Sequence, residues 1–250
     1  MHLIDLPLLF FIVSFALLWG SARVGLWMRR RHGEIGSPER DDLTLALSSV
    51  VTLLALIIGF SFSMAVARYD LRKTDEATEA NAIGTEYARL VTLDATRAAD
   101  ARRLMKVYVG ERIAWYEPRD GGQLQKVEAA TRDTQNRMWS IVAGAAREEQ
   151  TPVRAMVAVG MNEVIDSQGF SSSAWLNRIP IAAWLLMGAI AVCAAAMMGY
   201  TTRSPGPRWF IVFPLIIALS FFLIADLDSA RRGVIPVLPE NIIATQASLQ

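Results

Sequence analysis

Two long apolar segments at each end of the chain enclose a polar middle, and this arrangement constrains the fold more than any other feature. The four segments are residues 6–28, 43–66, 179–200 and 209–225, and each is close to the ~20 apolar residues that cross a bilayer core as a helix. None of them contains an acidic residue. In lipid the backbone N–H and C=O groups must be paired within the segment. The sequence therefore predicts a membrane protein with four transmembrane helices.

The polar middle is also helical in pattern. A helix over about residues 44–91 is expected to extend the second span, because no proline interrupts it and Gly84 weakens it only slightly. Asp94 is placed to cap a helix that ends near Tyr116. Thr151 before Pro152 is a start signal for a further helix.

The expected fold is all-α, a polytopic membrane protein with a helical extramembrane domain inserted between the second and third spans. Its expected parts are transmembrane helices one and two in 1–66, the helical domain in 67–178, helices three and four in 179–226, and a tail in 227–250. The helix of the third span is expected to begin near Ser171. Pro236 and Pro239 forbid a helix through the tail, which is predicted to be extended.

Composition limits the classes of function. Lys and Arg number 25 against 24 Asp and Glu, so no strong field favours nucleic acid. The histidines are His2 and His32 and the cysteine is Cys193, so a His/Cys metal site is excluded, and neither a metal nor a cofactor is expected. The sequence has no Walker lysine motif, G-x-G-x-x-G, H-E-x-x-H or G-x-S-x-G, and so does not indicate an enzyme.

The second span has two different faces. Small and hydroxyl side chains recur at helical spacing on one face: Ser48, Thr52, Ala55, Gly59 and Ser63. The other face carries Val50, Leu54, Ile57 and Met64. Small residues let helices approach closely in lipid, so the first face is either a packing seam or a pore lining. In the second interpretation Phe60 or Phe62 forms a hydrophobic constriction that gates by dewetting. Both interpretations hold if the span surrounds the axis of an oligomer.

Acidic and amide side chains are candidates for ion or interface contacts. They are Glu79, Asn81, Asn162, Glu163, Asp166, Asp226 and Asp228. Glu163 and Asp166 lie three residues apart on one helix face, a pattern that can bind a hard cation or an arginine partner. Ordinary polar contacts remain the alternative for Glu79 and Asn81, and local ion pairing the alternative for Asp226 and Asp228.

Charged residues between the second span and Gly84 are expected on a solvated helix face. Lys73 with Glu76, and Arg72 with Asp75, are placed to form surface pairs there.

Charge flanking the spans bears on orientation. Arg29, Arg30, Arg31 and Arg40 lie in the short loop of residues 29–42, and Arg203 and Arg208 lie in the other short loop. Cytoplasmic loops carry excess Lys and Arg, so the loop of residues 29–42 is predicted to be cytoplasmic, with the middle domain outside. The bases near the other span ends favour the reverse orientation, but long loops count less in this rule: Arg68, Arg72, Lys73, Arg231 and Arg232. The expected location is a bacterial inner or plasma membrane.

Several motifs occur in the order of a known family. They are residues 58–64, Arg68-Tyr69-Asp70, residues 79–85, Asn162-Glu163 with Asp166, and Asp226-Leu227-Asp228 with Arg232-Gly233. With these motifs the chain resembles the bestrophin-like membrane family (DUF4239) over nearly its whole length. True bestrophins, a more distant resemblance, are pentameric anion channels with a pore lined by the second span, an aromatic constriction and cytoplasmic termini. The bestrophin calcium clasp has no match here, so calcium gating is not implied.

The residues and the resemblance together predict a homo-oligomeric ion channel. Its expected partners are copies of itself in a closed ring, with a pentamer favoured and a tetramer next, the lipid bilayer and inorganic ions. The alternative is a membrane-anchored sensor or scaffold whose helical domain binds a partner without transporting ions. Conductance separates the two.

Overall fold

The chain is helical throughout its regular structure. The computed structural model describes residues 6–33, 36–117, 121–202, 209–229, 231 and 233–249, and these ranges contain no strand. The helices are α1 (Pro7–His32), α2 (Ser37–Arg89), α3 (Ala95–Tyr116), α4 (Gly121–Glu148), α5 (Pro152–Leu176), α6 (Ile181–Thr201), α7 (Trp209–Asp228) and α8 (Glu240–Ser248), with a 3-10 helix at Leu90–Thr92. The all-α prediction is confirmed.

Four helices of the described chain, α1, α2, α6 and α7, are long and apolar enough to cross a membrane. They correspond to the four predicted spans. The protein is a multi-pass membrane protein. As predicted, α2 continues far beyond its span, although it begins earlier than expected, at Ser37.

One compact unit comprises residues 1–69 and 178–236. Its apolar core includes Leu18, Leu54, Met187 and Ile224, each at most 1% exposed. Helix α1 packs directly on α6, and glycine is required at the closest approach. A Cβ on Gly199 would overlap the backbone of α1.

The other unit comprises residues 70–177 and 237–250, with the rest of α2 and helices α3, α4, α5 and α8. Its helix starts follow the predicted chemistry. The Asp94 carboxylate accepts a hydrogen bond from the Arg97 amide at 3.1 Å, and the Thr151 hydroxyl accepts one from the Arg154 amide at 3.3 Å. Each bond satisfies an amide that the first helical turn leaves unpaired.

The predicted start of the third membrane helix near Ser171 is wrong. Helix α5 continues to Leu176, and α6 begins only at Ile181. Pro180 lies at the N-cap of α6, and a proline disfavours helical geometry in the residue before it. The two helices are therefore separate.

The prediction of an extended tail is wrong from Glu240 onwards, where α8 begins. Pro239 is its N-cap, so the prolines precede the helix and do not interrupt it. The Glu76 carboxylate accepts hydrogen bonds from the Ile242 amide at 2.9 Å and from the Asn241 side chain at 2.6 Å. This carboxylate stabilises the start of α8, where unpaired amides and the helix dipole favour a negative charge.

The predicted surface pairs of Arg72 with Asp75 and of Lys73 with Glu76 are also wrong. Arg72 is fully buried and donates to the Ala174 and Asn177 carbonyls, each at 3.2 Å. Glu76 of α2 is 2% exposed, and its carboxylate binds the amide of Ile242 at the start of α8. Both side chains therefore stabilise the helical unit from within.

Candidate functional site

The membrane part of α2 packs against its neighbours with one face only. Leu54 and Ala65 are fully buried and Ser61 is 7% exposed. These three positions lie within about 40° of one another on the helix, at ~100° per residue. Met64, predicted on this face, is instead 45% exposed. It is rotated by about 80° from Leu54 in the same projection.

The opposite face of α2 is exposed in the protomer. All five members of the predicted small-residue stripe are on it: Ser48, Thr52, Ala55, Gly59 and Ser63. A side chain added at Gly59 would meet nothing within 4 Å. The Ser48 and Thr52 hydroxyls donate to carbonyls one turn earlier, at 2.9 and 2.8 Å. Their protons are therefore satisfied in the helix, and the face presents oxygen lone pairs and small apolar surface.

Both aromatic candidates for a constriction are exposed. Phe60 is 66% exposed and Phe62 is 42% exposed. They point about 160° apart on the helix, so only one can face a common axis. Phe62 borders the small-residue stripe, whereas Phe60 lies about 100° from its centre.

The same exposed face of α2 continues beyond the span. Asp70, Thr74, Asn81 and Ala88 are exposed and follow at helical spacing. Asn81, a predicted contact residue, is thus on this face. The face is polar but carries a single carboxylate among these four residues.

Glu79, also a predicted contact residue, lies in the interior instead. Its side chain is fully buried, and its carboxylate accepts two hydrogen bonds from the guanidinium of Arg112, one of them at 3.1 Å. Tyr108 donates to the same carboxylate at 3.4 Å. Burial raises the pKa of the Tyr108 phenol well above its usual value, and the Glu79 charge raises it further. The carboxylate has its partners inside the protein.

Arg112 was missed in the sequence as a site residue. Its guanidinium lies over the Trp115 ring, 4.6 Å from the ring centre. The sequence does contain a signal for it, because Arg112 shares a helix face with Tyr108 and Trp115. A charge on such an apolar face needs a partner, and this indicates a buried ion pair.

The predicted residues of α5 meet α2 around a groove. The groove is lined by Thr78, Asn81, Ala82, Thr85, Arg89, Glu163, Asp166, Ser167 and Phe170. Arg89 donates to Glu163 at 3.4 Å, and Asn162 donates to Asp166 at 2.7 Å. The structure thus brings Asn81, Glu163 and Asp166 to one surface. The described residues contain no group of three or more His, Cys, Asp or Glu side chains placed to hold a metal.

A further buried carboxylate, Glu86, lies near Arg89 of that groove and was not predicted. The Glu86 side chain is fully buried, and neither of its oxygens has a hydrogen-bond partner among the described residues. The nearest cation is Arg89, at 3.9 Å. Burial raises the pKa of Glu86 to about 8, an effect that Arg89 opposes and Glu163 reinforces. Gly160 makes room for it, because a Cβ there would overlap the carboxylate.

Asp226 and Asp228 hold the chain where α7 ends. Asp226 is 1% exposed and accepts hydrogen bonds from the amides of Val234 and Ile235, the latter at 2.9 Å. Asp228 is 2% exposed, accepts from the Ile179 amide at 3.1 Å and pairs with Arg68 at 3.4 Å. Arg232, which the sequence places beside them, lies outside the described residues. Both carboxylates are therefore engaged within the protomer.

The comparisons with known proteins agree on one family. The family model described as the Bestrophin-like domain matches residues 9–242. No curated protein matches the chain.

Solved structures with the same fold include variants of a bacterial bestrophin homologue from Klebsiella pneumoniae. One has a TM-score of 0.71 at 10% identity, covering 96% of this chain and 97% of that one. Another has a TM-score of 0.71 at 11% identity and covers 96% of this chain and 95% of its own. A third has a TM-score of 0.70 at 10% identity and covers 95% of this chain and 97% of its own. The family match and the shared fold together place this protein in the bestrophin-like family.

Proposed function

We propose that the protein is a homo-oligomeric ion channel whose pore is lined by the exposed face of α2. The observation that carries this proposal is the asymmetry of α2 in the membrane. One face packs through Leu54 and Ala65, and the other presents hydroxyl and small side chains that are exposed in the described part of the protomer. Lipid alone does not favour such a face, whereas water and close helix contacts do.

The oligomer follows from helix number. Four spans in one chain are too few to surround an aqueous path easily, whereas several copies of α2 can surround one. A closed ring is the usual outcome of self-association, and the bestrophin resemblance favours five copies, with four next. Native mass spectrometry of the protein in mild detergent should give one such ring. Gly59→Leu should weaken it by blocking close approach, whereas only monomer for the unaltered chain would contradict a shared pore.

The constriction is assigned to Phe62. A ring of apolar side chains excludes water and so bars ions without a charged plug. Phe62→Ala should therefore raise ion flux in liposomes. Phe60→Ala is the matched control, because it removes the same ring two residues away on a different side of the helix. Equal effects of the two substitutions would contradict the assignment.

The competing function is a membrane-anchored sensor or scaffold. The observation that favours it is apolar exposure in the helical unit, where Phe170 is 65% and Leu176 is 84% exposed. A partner protein would cover these side chains. If the unaltered protein and both phenylalanine variants pass no ion under varied voltage, pH and calcium, the channel proposal is wrong and the sensor or scaffold function is favoured. The proposal includes no catalysis, since the sequence carries no enzyme motif.

The proposed orientation has the loop of residues 29–42 in the cytoplasm of a bacterial inner membrane. Residues 34–35 of this loop and Arg203 and Arg208 lie outside the described residues. Single cysteines at exposed His32 and Gly121, in a Cys193→Ser background, test it. Gly33 is unsuitable because its φ of 84° strains any other side chain. An impermeant thiol reagent on intact cells should label position 121 and spare position 32. The reverse labelling would support the orientation of true bestrophins, in which the termini are cytoplasmic.

A further inference from the structure

A groove in the membrane unit combines arginine and tryptophan side chains. Its wall on α1 is formed by Trp19, Arg23, Leu26, Trp27 and Arg30, and its wall on α7 is formed by Phe210 and Ile211. The groove encloses about 410 Å³. The α1 residues share one helix face because each of the others lies three, four or seven residues from Arg23. Cationic and apolar surfaces therefore line the same cleft.

Among the described residues, the two arginines of this groove have no acidic partner. Residues 6–33 contain no Asp or Glu. Among the described residues no carboxylate lies within ion-pair distance of Arg23 or Arg30, and Arg23 instead lies over the Trp19 ring at 5.4 Å. Neighbouring Arg29 differs, because its guanidinium donates to the Thr201 and Thr202 carbonyls. An arginine at a membrane span is costly without a counter-charge, so Arg23 and Arg30 favour an anion.

The depth of the groove matches the boundary of the bilayer. Arg29 reaches the end of α6, and α7 begins at Trp209, so this part of α1 lies where the spans end. Arg23 and Arg30 are about 10 Å apart along the helix at 1.5 Å per residue. The headgroup layer is roughly 5–8 Å thick on each side of the hydrocarbon core. The groove therefore extends from the acyl chains to the phosphates, the level at which tryptophan is enriched in membrane proteins.

We propose that this groove binds an anionic glycerophospholipid of the surrounding leaflet. Its phosphate oxygens accept hydrogen bonds from the guanidinium groups of Arg23 and Arg30, which suit phosphate through paired N–H donors. Its acyl chain lies along Leu26, Phe210 and Ile211. A net negative headgroup fits better than a zwitterionic one, because the cation of the latter opposes the arginines. The site is separate from the α2 face and does not depend on ion conduction.

The test is native mass spectrometry of the full chain in detergent, titrated with dioleoyl phosphatidylglycerol or dioleoyl phosphatidylcholine. Phosphatidylglycerol should bind more tightly. Arg23→Gln with Arg30→Gln should lower its affinity by about 30-fold, from the usual effect of two basic residues at an anionic membrane surface. Arg31→Gln is the matched control, because it removes the same charge one residue away. The Arg31 guanidinium lies over the Trp27 ring, 4.5 Å from its centre, but does not itself line the groove. This variant should leave the affinity near that of the unaltered protein.

Three results would overturn the proposal. Equal affinity for the two lipids would remove the charge argument. An equal loss in Arg31→Gln and Arg30→Gln would show diffuse attraction to a basic loop. Phosphatidylglycerol that binds the monomer but not the assembled ring would show that a second copy of the chain covers the groove. Arg30→Gln alone, at an exposed position that tolerates the change, gives the decisive comparison if the double variant does not fold, with an expected loss of about fivefold.

Discussion

Removing Glu79 should destabilise the helical unit by a large amount, because it leaves the Arg112 guanidinium buried without a carboxylate. The two side chains are 0% and 1% exposed and share two hydrogen bonds. The Tyr108 hydroxyl lies 3.4 Å from the Glu79 carboxylate, and the Trp115 ring centre lies 4.6 Å from the Arg112 guanidinium. These rings leave little access for water. Breaking such a pair typically costs about 3–5 kcal/mol. Whole domains are stable by about 5–15 kcal/mol, so the loss is a substantial fraction.

Hydrogen–deuterium exchange of the α3 amides measures this cost locally, as the free energy of opening. Glu79→Leu and Arg112→Met should each lower it by about 3–5 kcal/mol. The double variant should lose far less than the sum, because two apolar groups replace a matched pair. Arg103→Ala, which breaks the exposed pair with Asp100, is the control and should change it by less than about 1 kcal/mol. Additive losses in the double variant, or small losses in both single variants, would refute the coupling.

Three further predictions concern stability and packing. Because the folded pKa of Glu86 is raised to about 8 from an ordinary 4.5, the stability that its bound proton confers is lost as pH rises from about 4.5 to 8. Glu86→Gln should flatten that part of the pH profile of the melting temperature, and an unchanged slope would contradict the assignment. Gly199→Leu should lower the melting temperature by overlapping α1, whereas Gly188→Leu, with open space around it, should not. Glu76→Ala should speed amide exchange in α8, and unchanged exchange there would show that the carboxylate does not stabilise that helix.

The helices that follow local rules were predictable from the sequence. The spans are fixed by length and apolarity, and the long α2 by the absence of proline after Pro38 in its first turn. The capping residues Asp94 and Thr151 mark their helix starts because a side-chain oxygen one step before a helix satisfies its free amides. These signals depend on neighbouring residues only.

The features that depend on distant partners were not predictable. Arg72 and Glu76 look like solvated charges until the carbonyls at the end of α5 and the amides of α8 are placed beside them. The stripe from Ser48 to Ser63, by contrast, was predictable, because its members recur at helical spacing. Glu86 was missed, since its burial depends on Gly160 of another helix. The positions of the Glu76 and Glu86 carboxylates depend on tertiary packing, which one sequence does not encode in a local pattern.

The most direct test of the channel is ion flux through liposomes that contain the purified chain, with a cysteine placed on the α2 face. In a Cys193→Ser background, Ser63→Cys lies on the proposed pore lining, whereas Leu53→Cys is exposed in the protomer but lies off it. The proposed channel predicts flux in both variants and its block by an impermeant thiol reagent at position 63 only. No flux in the unaltered protein, or equal block at position 53, would contradict it.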